Sequence, residues 1–260
     1  MSVKRLAIAL AVVALVLAVL GLAAGGGNGP RAGATRENRA GLVFRYYPDS
    51  GWQFQPLLSF AHLRYIVSYG KRPAARRLVA ELLARGEWRK GALYWSYGFP
   101  FDGHPAPWRS GFAQAEAAEA LLHTSWLLKQ RALLGPARAA LRGLRHGLLL
   151  QKGGGLWIRE YGFDRQVILN SQLASLLLLH NLARELHTPD VRRLEQGLLR
   201  ATVRLLPRFD LGCHSRYQLN GPAADRHYQD YHVGLLSRLV REYPAETLFR
   251  RLYLRWRTCA

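Results

Sequence analysis

The sequence predicts an all-α fold, an α/α toroid or partial barrel of about four helical hairpins that follows an N-terminal apolar export or anchor helix. Three observations lead there. From position 41 onward, apolar residues recur at helical spacing in blocks bounded by Gly or Pro. The blocks fall into pairs joined by short turns at Gly70–Pro73, Leu133–Pro136, His187–Pro189 and Tyr243–Pro244. The first members of the pairs begin near 56, 111, 168 and 231, a recurrence of roughly 60 residues, which is too long for TPR or HEAT repeats.

Taken in order, the chain opens with Lys4 and Arg5 ahead of Leu6–Ala24, an apolar run without a polar face. Such a run is long enough to span a bilayer and also suits a signal peptide, and its positive flank predicts a cytoplasmic N-terminus with the remainder exported. Residues 1–26 are therefore expected either as a signal peptide, cleaved at the small residues Ala23–Gly27, or as an uncleaved anchor holding the membrane through residues 6–24. The protein is expected to be secreted, or anchored and facing the periplasm, the exterior or a lumen. Residues 27–40, rich in Gly, Arg and small side chains and without periodicity, read as a linker. One domain is expected over 41–260.

Within it the spacing predicts helices at 56–69, 73–88, 111–129, 136–150, 168–186, 189–206, 231–242 and 245–256. In an array of antiparallel hairpins the short turns lie at one end and the long connectors at the other. The segments 91–110, 151–167 and 207–230 should therefore share one rim, and connectors of this length in a compact domain are usually functional.

The formal charge of +20 rests almost wholly on Arg, since only Lys4, Lys71, Lys90, Lys129 and Lys152 are lysines. An Arg-biased surface suits bidentate contact with carboxylates or sulfates and attracts polyanions, although a coding bias toward Arg and Ala accounts for the same composition. No helix-turn-helix, RRM or zinc pattern is present, so nucleic acid is not an expected partner. Cys213 and Cys259 are too few and too far apart for a metal ribbon; in an oxidising compartment they are able to pair, but the spacing does not say that they meet.

The connectors concentrate the aromatic and ionisable residues. The first carries Tyr94, Trp95, Tyr97, Phe99, Phe101, Asp102, His104 and Trp108 with Arg109. The second runs from Gly153 through Trp157, Arg159 and Glu160 to Tyr161, and the third holds Phe209, Asp210, Arg216, Tyr217, Asn220, Tyr228, Tyr231 and His232. Rings beside guanidinium and carboxylate groups are what a sugar-acid site needs. Aromatic plugging of a barrel mouth gives the same composition.

The strings themselves carry more. Trp108-Arg109-Ser110-Gly111-Phe112-Ala113-Gln114 resembles the W-x-S-G-M-A-Q-G element of the D-glucuronyl C5-epimerase C-terminal family, with Phe112 for Met and Ala115 for Gly. Gly154 to Asn170, with Glu160-Tyr161 and Val167-Ile168-Leu169-Asn170, is similar to its G-G, E-E-Y-P and V-L-N-G elements; Gly162 replaces Pro and Ser171 replaces Gly. Phe209-Asp210-Leu211-Gly212, Ser215 to Leu219 and Asp230-Tyr231-His232 follow in the family's order. The resemblance covers Gly51 to Trp256, and the ordered set, not any one motif, is what is specific.

That resemblance implies an α/α toroid enzyme acting at C5 of glucuronate-type units in an acidic polysaccharide, without a metal or nucleotide cofactor. It implies Tyr161 and Tyr231 as an acid/base pair, with Glu160 and Tyr217 in support. Trp108, Arg109, Gln114, Asn170, Arg216, Asn220 and His232 are implied as substrate contacts. Asn220 stands where the family's Y-D-L-R-H element has Arg, and Gln218 where it has Asp, so Arg216 or Arg109 would have to supply the cation. Family members also carry β-rich regions ahead of the helical part, for which residues 27–50 are too few. A homodimer, a partner chain or a changed function would fill that gap.

Inverting C5 means removing a proton α to a carboxylate and returning one to the opposite face, which needs two acid/base groups and a cation for the carbanion-like intermediate. A phenol ionises near pH 10, so a tyrosine base needs a neighbouring positive charge. A uronate lyase shares the first step and then expels the C4 substituent. Hydrolysis would need a carboxylate pair, for which Asp102, Glu160, Asp210 and Asp230 are the candidates. A subunit that binds acidic polysaccharide without turning it over is the alternative outside enzymes. Asp230, directly before the expected helix, reads as an N-cap.

Overall fold

The computed structural model describes residues 30–260; the expected export segment, residues 1–26, lies outside the described residues. Among those described, no helix is long and apolar enough to cross a membrane. The chain divides into two compact units, one ending at Gly143 and one beginning at Leu144.

The first unit opens with strands β1 (Thr35–Glu37), β2 (Val43–Tyr47) and β3 (Gly51–Phe54), which form an antiparallel sheet in that order. Strand β1 thus falls inside the stretch expected to be a linker. Helices α1 (Pro56–Ser68), α2 (Arg72–Ala84) and α3 (Gly111–Leu128) follow, then α4 (Leu134–Leu144). Helices α1 and α2 begin with Pro in the first turn, where the missing N–H costs nothing. Helix α3 starts where the Ser110 hydroxyl accepts the Ala113 N–H. It is apolar on nearly every side and packs along α1. Its two buried carboxylates, Glu116 and Glu119, are met by Arg64 of α1 at 2.6 and 3.2 Å, the pairing that buried charge requires.

The expected helix 73–88 stops at Ala84, because the chain turns into strands β4 (Glu87–Arg89) and β5 (Ala92–Tyr94). Lys90 and Gly91 both take positive φ, the two-residue hairpin geometry that matches strand twist. Residues 95–108 close on themselves: Trp108 stacks on Tyr97 with centroids 3.9 Å apart, and Phe99 and Phe101 border it.

The second unit opens on another hairpin, β6 (Leu149–Lys152) and β7 (Gly155–Ile158), turned through Gly153 and Gly154, both with positive φ. The expected helix 136–150 therefore ends at Leu144. Helices α5 (Leu169–Leu186), α6 (Pro189–Leu205), α7 (Arg226–Glu242) and α8 (Thr247–Trp256) complete the unit, with α5 packed on both α6 and α7, and α7 on α8. Strand β7 lies on α6 so closely that a Cβ on Gly155 would sit 2.3 Å from the Gly197 carbonyl oxygen. The buried Gln172 of α5 ties the layers: its Oε1 accepts the Ile158 N–H at 2.8 Å, and its amide donates to Leu198 O and Thr202 Oγ1.

Helix α7 begins five residues earlier than expected, because Asp225 caps it by accepting the Tyr228 N–H at 2.8 Å. Asp230, expected as the cap, is instead inside the helix and paired with Arg226 one turn back. At the far ends of α5, α6 and α7, His180 lies between Glu195 at 3.1 Å and Glu242 at 3.4 Å, while the Tyr243 hydroxyl donates to Glu195.

Candidate functional site

In the second unit, two of the three connectors meet. Leu169 N–H donates to Tyr217 O at 3.0 Å and Leu219 N–H to Val167 O at 2.9 Å, so the segment 217–219 runs as a short antiparallel strand beside the entry to α5. Trp157 fixes the frame from below: its indole N–H donates to Ile168 O, and its ring lies parallel to that of Phe209. These contacts set Tyr217 beside the segment that carries Glu160 and Tyr161.

The polar groups gather there. Burial dominates Glu160: its Oε2 is shielded from solvent without a hydrogen-bond partner. This, with the nearby Asp164 charge, pushes its carboxyl up to about 7, although Ser171 and Asn170 at the start of α5 hydrogen-bond to it and oppose the shift. Tyr217 is held far above the ordinary phenol range by burial first, then by Glu160, Tyr161 and Tyr228 around it. The carboxyl of Glu160, pushed up to about 7, can change protonation state under mild conditions.

A second layer stands behind it. His232 of α7 is fully buried, and burial pushes its imidazole down to about 3, so it is neutral. Ser215 Oγ donates to Gln229 Oε1 at 2.8 Å, which assigns the 2.7 Å contact with His232 Nδ1 as an imidazole N–H donating to Ser215. Gln229 in turn donates to Cys213 O and Trp256 O at 3.0 Å each. A disulfide between Cys213 and Cys259 adds a covalent tie between this connector and the segment after α8.

The remaining predicted residues fall as follows. Asn170 is buried beside Glu160, its Oδ1 without a hydrogen-bond partner. Tyr231 is half-buried on the second turn of α7. Arg216 donates to Gly221 O, and Asn220, in left-handed backbone, accepts from Arg208 at 3.2 Å. The other three predicted residues belong to the first unit. Trp108 is packed in the aromatic cluster and donates to Phe99 O. Arg109 lies 4.0 Å over the Tyr94 ring and pairs with Glu87 at 3.3 Å. The buried Gln114 donates to Leu93 O and Ala140 O. Tyr228, Ser171, Ser215, Gln229 and Arg208 are not among the site residues the sequence implies, although Tyr228 belongs to the aromatic third connector and Ser171 and Ser215 to the motif strings. Asp225, a favoured N-cap residue type, is the sequence signal that starts the helix early enough to put Tyr228 on the same face as Tyr231 and His232. Among the described residues, the one group with close metal-ligating atoms is Cys213, His214 and Cys259, whose two sulfurs are joined to each other.

Comparison with known proteins gives three findings. A model of the family described as D-glucuronyl C5-epimerase C-terminus matches residues 85–258. No curated protein matches. Among solved structures, the chain is similar to a GH8 endo-beta-1,4-glucanase from an Achatina fulica gut metagenomic library at 15% identity and TM-score 0.54, over 77% of this chain and 68% of that one. It is similar to endoglucanase Cel10, a family 8 glycosyl hydrolase from Klebsiella pneumoniae, at 14% and 0.57, over 80% and 71%. It is also similar to endo-beta-1,4-glucanase CMCax from Acetobacter xylinum at 10% and 0.55, over 90% and 78%. At these identities the likeness shows the fold, the α/α-toroid class expected from the hairpin recurrence.

Proposed function

Since the chain belongs to the family of the D-glucuronyl C5-epimerase C-terminus, we propose that it removes the C5 proton of D-glucuronate-type units in an acidic polysaccharide and delivers another to the opposite face. The observation that carries this reading is Glu160, a shielded carboxyl pushed up to about 7, with the neighbouring Tyr217, whose pKa is raised by burial and then by Glu160 and Tyr161. Ionised, Glu160 accepts the proton as the C5–H bond breaks. A neutral phenol, Tyr161 in this reading, donates its proton to the other face of the planar intermediate, and the resulting phenolate recovers one through Tyr217 or solvent. A phenol ordinarily carries its proton near neutrality, whereas Glu160, pushed up to about 7, can be ionised there, so the carboxyl is assigned as base and the phenol as donor. Tyr231 is the alternative donor from α7. The neutral His232 and its Ser215 and Gln229 partners act as supports for the connector that bears Tyr217.

The test is incubation of the protein with a non-sulfated glucuronate polymer in deuterium oxide, followed by NMR for deuterium at C5. Exchange that disappears in Glu160→Gln and falls in Tyr161→Phe supports the reading. An unsaturated uronate absorbing in the ultraviolet would mark elimination instead, and new reducing ends would mark hydrolysis with Asp164 as the second carboxylate. Either would displace epimerisation.

A further inference from the structure

The three-stranded sheet of the first unit has two unlike faces. Tyr47 lies against Phe99, with centroids 4.5 Å apart, and Val43 N–H donates to Ser59 Oγ of α1, so that side is covered. The strand register sets Arg36, Phe44, Tyr46, Trp52 and Phe54 on the other side. All four rings are half-buried, and they stand as two cross-strand pairs, Phe44 with Phe54 and Tyr46 with Trp52. Two exposed guanidinium groups lie on them: Arg36 4.4 Å over Trp52 and Arg85 5.5 Å over Phe54. Among the described residues neither guanidinium is paired with a carboxylate.

We propose that this sheet face is a platform for acidic polysaccharide, formed by the four rings with Arg36 and Arg85. The C–H faces of a pyranose stack on aromatic rings, and a guanidinium beside a ring has N–H groups that a carboxylate can take two at a time. Stacking also spares much of the entropy an unsupported Arg loses on binding. A second copy of this chain would bring the same two cations and the same net charge of +20 against the patch, which like-charge repulsion opposes. A polyanion meets no such penalty. The identity of the polymer as a uronate rests on the function proposed above, whereas the platform's preference for acidic over neutral chains rests on Arg36 and Arg85 alone.

The full chain is titrated with glucuronate polymer, with polygalacturonate and with a neutral β-1,4-glucan oligosaccharide, and tryptophan fluorescence and affinity electrophoresis are read at two salt concentrations. Salt-sensitive binding of an acidic polymer, weakened about tenfold by Arg36→Ala and by Trp52→Ala, is the expected result. Arg36→Glu, which leaves the rings in place, serves where Trp52→Ala perturbs folding. Unchanged affinity in Arg36→Glu, equal affinity for the neutral chain, or a dimer that Arg36→Glu dissociates would each overturn the platform. If C5 exchange fails on every polymer while Arg36-dependent binding holds, the proposed reaction falls and the platform stands. If exchange proceeds and the variants bind normally, the platform falls alone.

Discussion

The ring of Tyr228 packs on that of Tyr217, with centroids 4.5 Å apart and planes at 56°, and the Tyr217 hydroxyl is hydrogen-bonded to that of Tyr228. Two residues eleven positions apart, one on a connector and one in the first turn of α7, thus share a proton-bearing contact beside Glu160.

Replacing Tyr228 by Phe keeps the ring and removes the partner of Tyr217. A neutral hydrogen bond is worth about 1 kcal/mol net, so the exchange rate at C5 should fall roughly three- to tenfold with little change in KM. A rate equal to the parent's would mean that the pair is packing alone.

Glu160 gives the pH profile its expected shape. Acting as a base, it must be ionised, so exchange should rise with pH through about 7 and level off above it. The stability effect has the opposite sign. A carboxyl that stays protonated in the fold but ionises near its ordinary pKa when unfolded loses stability as pH rises from about 4.5 to about 7. Glu160→Gln should therefore abolish exchange yet resist urea better than the parent at pH 8. Urea titrations of the two proteins at pH 5 and pH 8 check it.

Gly155 and Gly154 are adjacent and should respond differently to alanine. At Gly155 the new methyl meets the Gly197 carbonyl oxygen at 2.3 Å and the Ala201 nitrogen at 2.9 Å, so β7 must leave α6, at a cost of at least about 2 kcal/mol. At Gly154 nothing lies within 4 Å, and the cost is the positive φ alone, about 1 kcal/mol. Chemical denaturation of the two variants separates them.

Serine at both Cys213 and Cys259 opens a cross-link spanning 46 residues, for which the chain-entropy relation gives about 4 kcal/mol. Because Gln229 still ties Cys213 O to Trp256 O, the connector should keep its path. The denaturation midpoint should drop much further than the exchange rate at 25 °C. A parallel collapse of both would show that Tyr217 depends on the covalent tie.

Helical periodicity located the eight α-helices of the described residues because their buried faces are long and apolar; Leu169 to Leu186 is the plainest case. Ends and hairpins were harder. Lys90-Gly91 and Gly153-Gly154 are two-residue turn signals between short strands, but strands of three or four residues hold too few alternations to outweigh the helical pattern beside them. The sheet at 35–54 was obscured for the same reason, since Gly and Arg around β1 look like linker composition. At the site, motif order brought Glu160, Tyr161 and Tyr217 into view. With the helix expected to start at Tyr231, Tyr228 reads only as one more connector aromatic, and Gln114 draws attention as a motif residue although its amide closes backbone carbonyls in the first unit. Pairings across long sequence distances, such as Ser215 with His232, leave no local signature.

The join between the entry to α5 and the segment 217–219 is made by main-chain groups, Leu169 to Tyr217 and Leu219 to Val167. Main-chain bonds do not depend on which side chains flank them. The side chains around the join, Asn220 among them, can therefore change without loosening the frame that holds Glu160 and Tyr217.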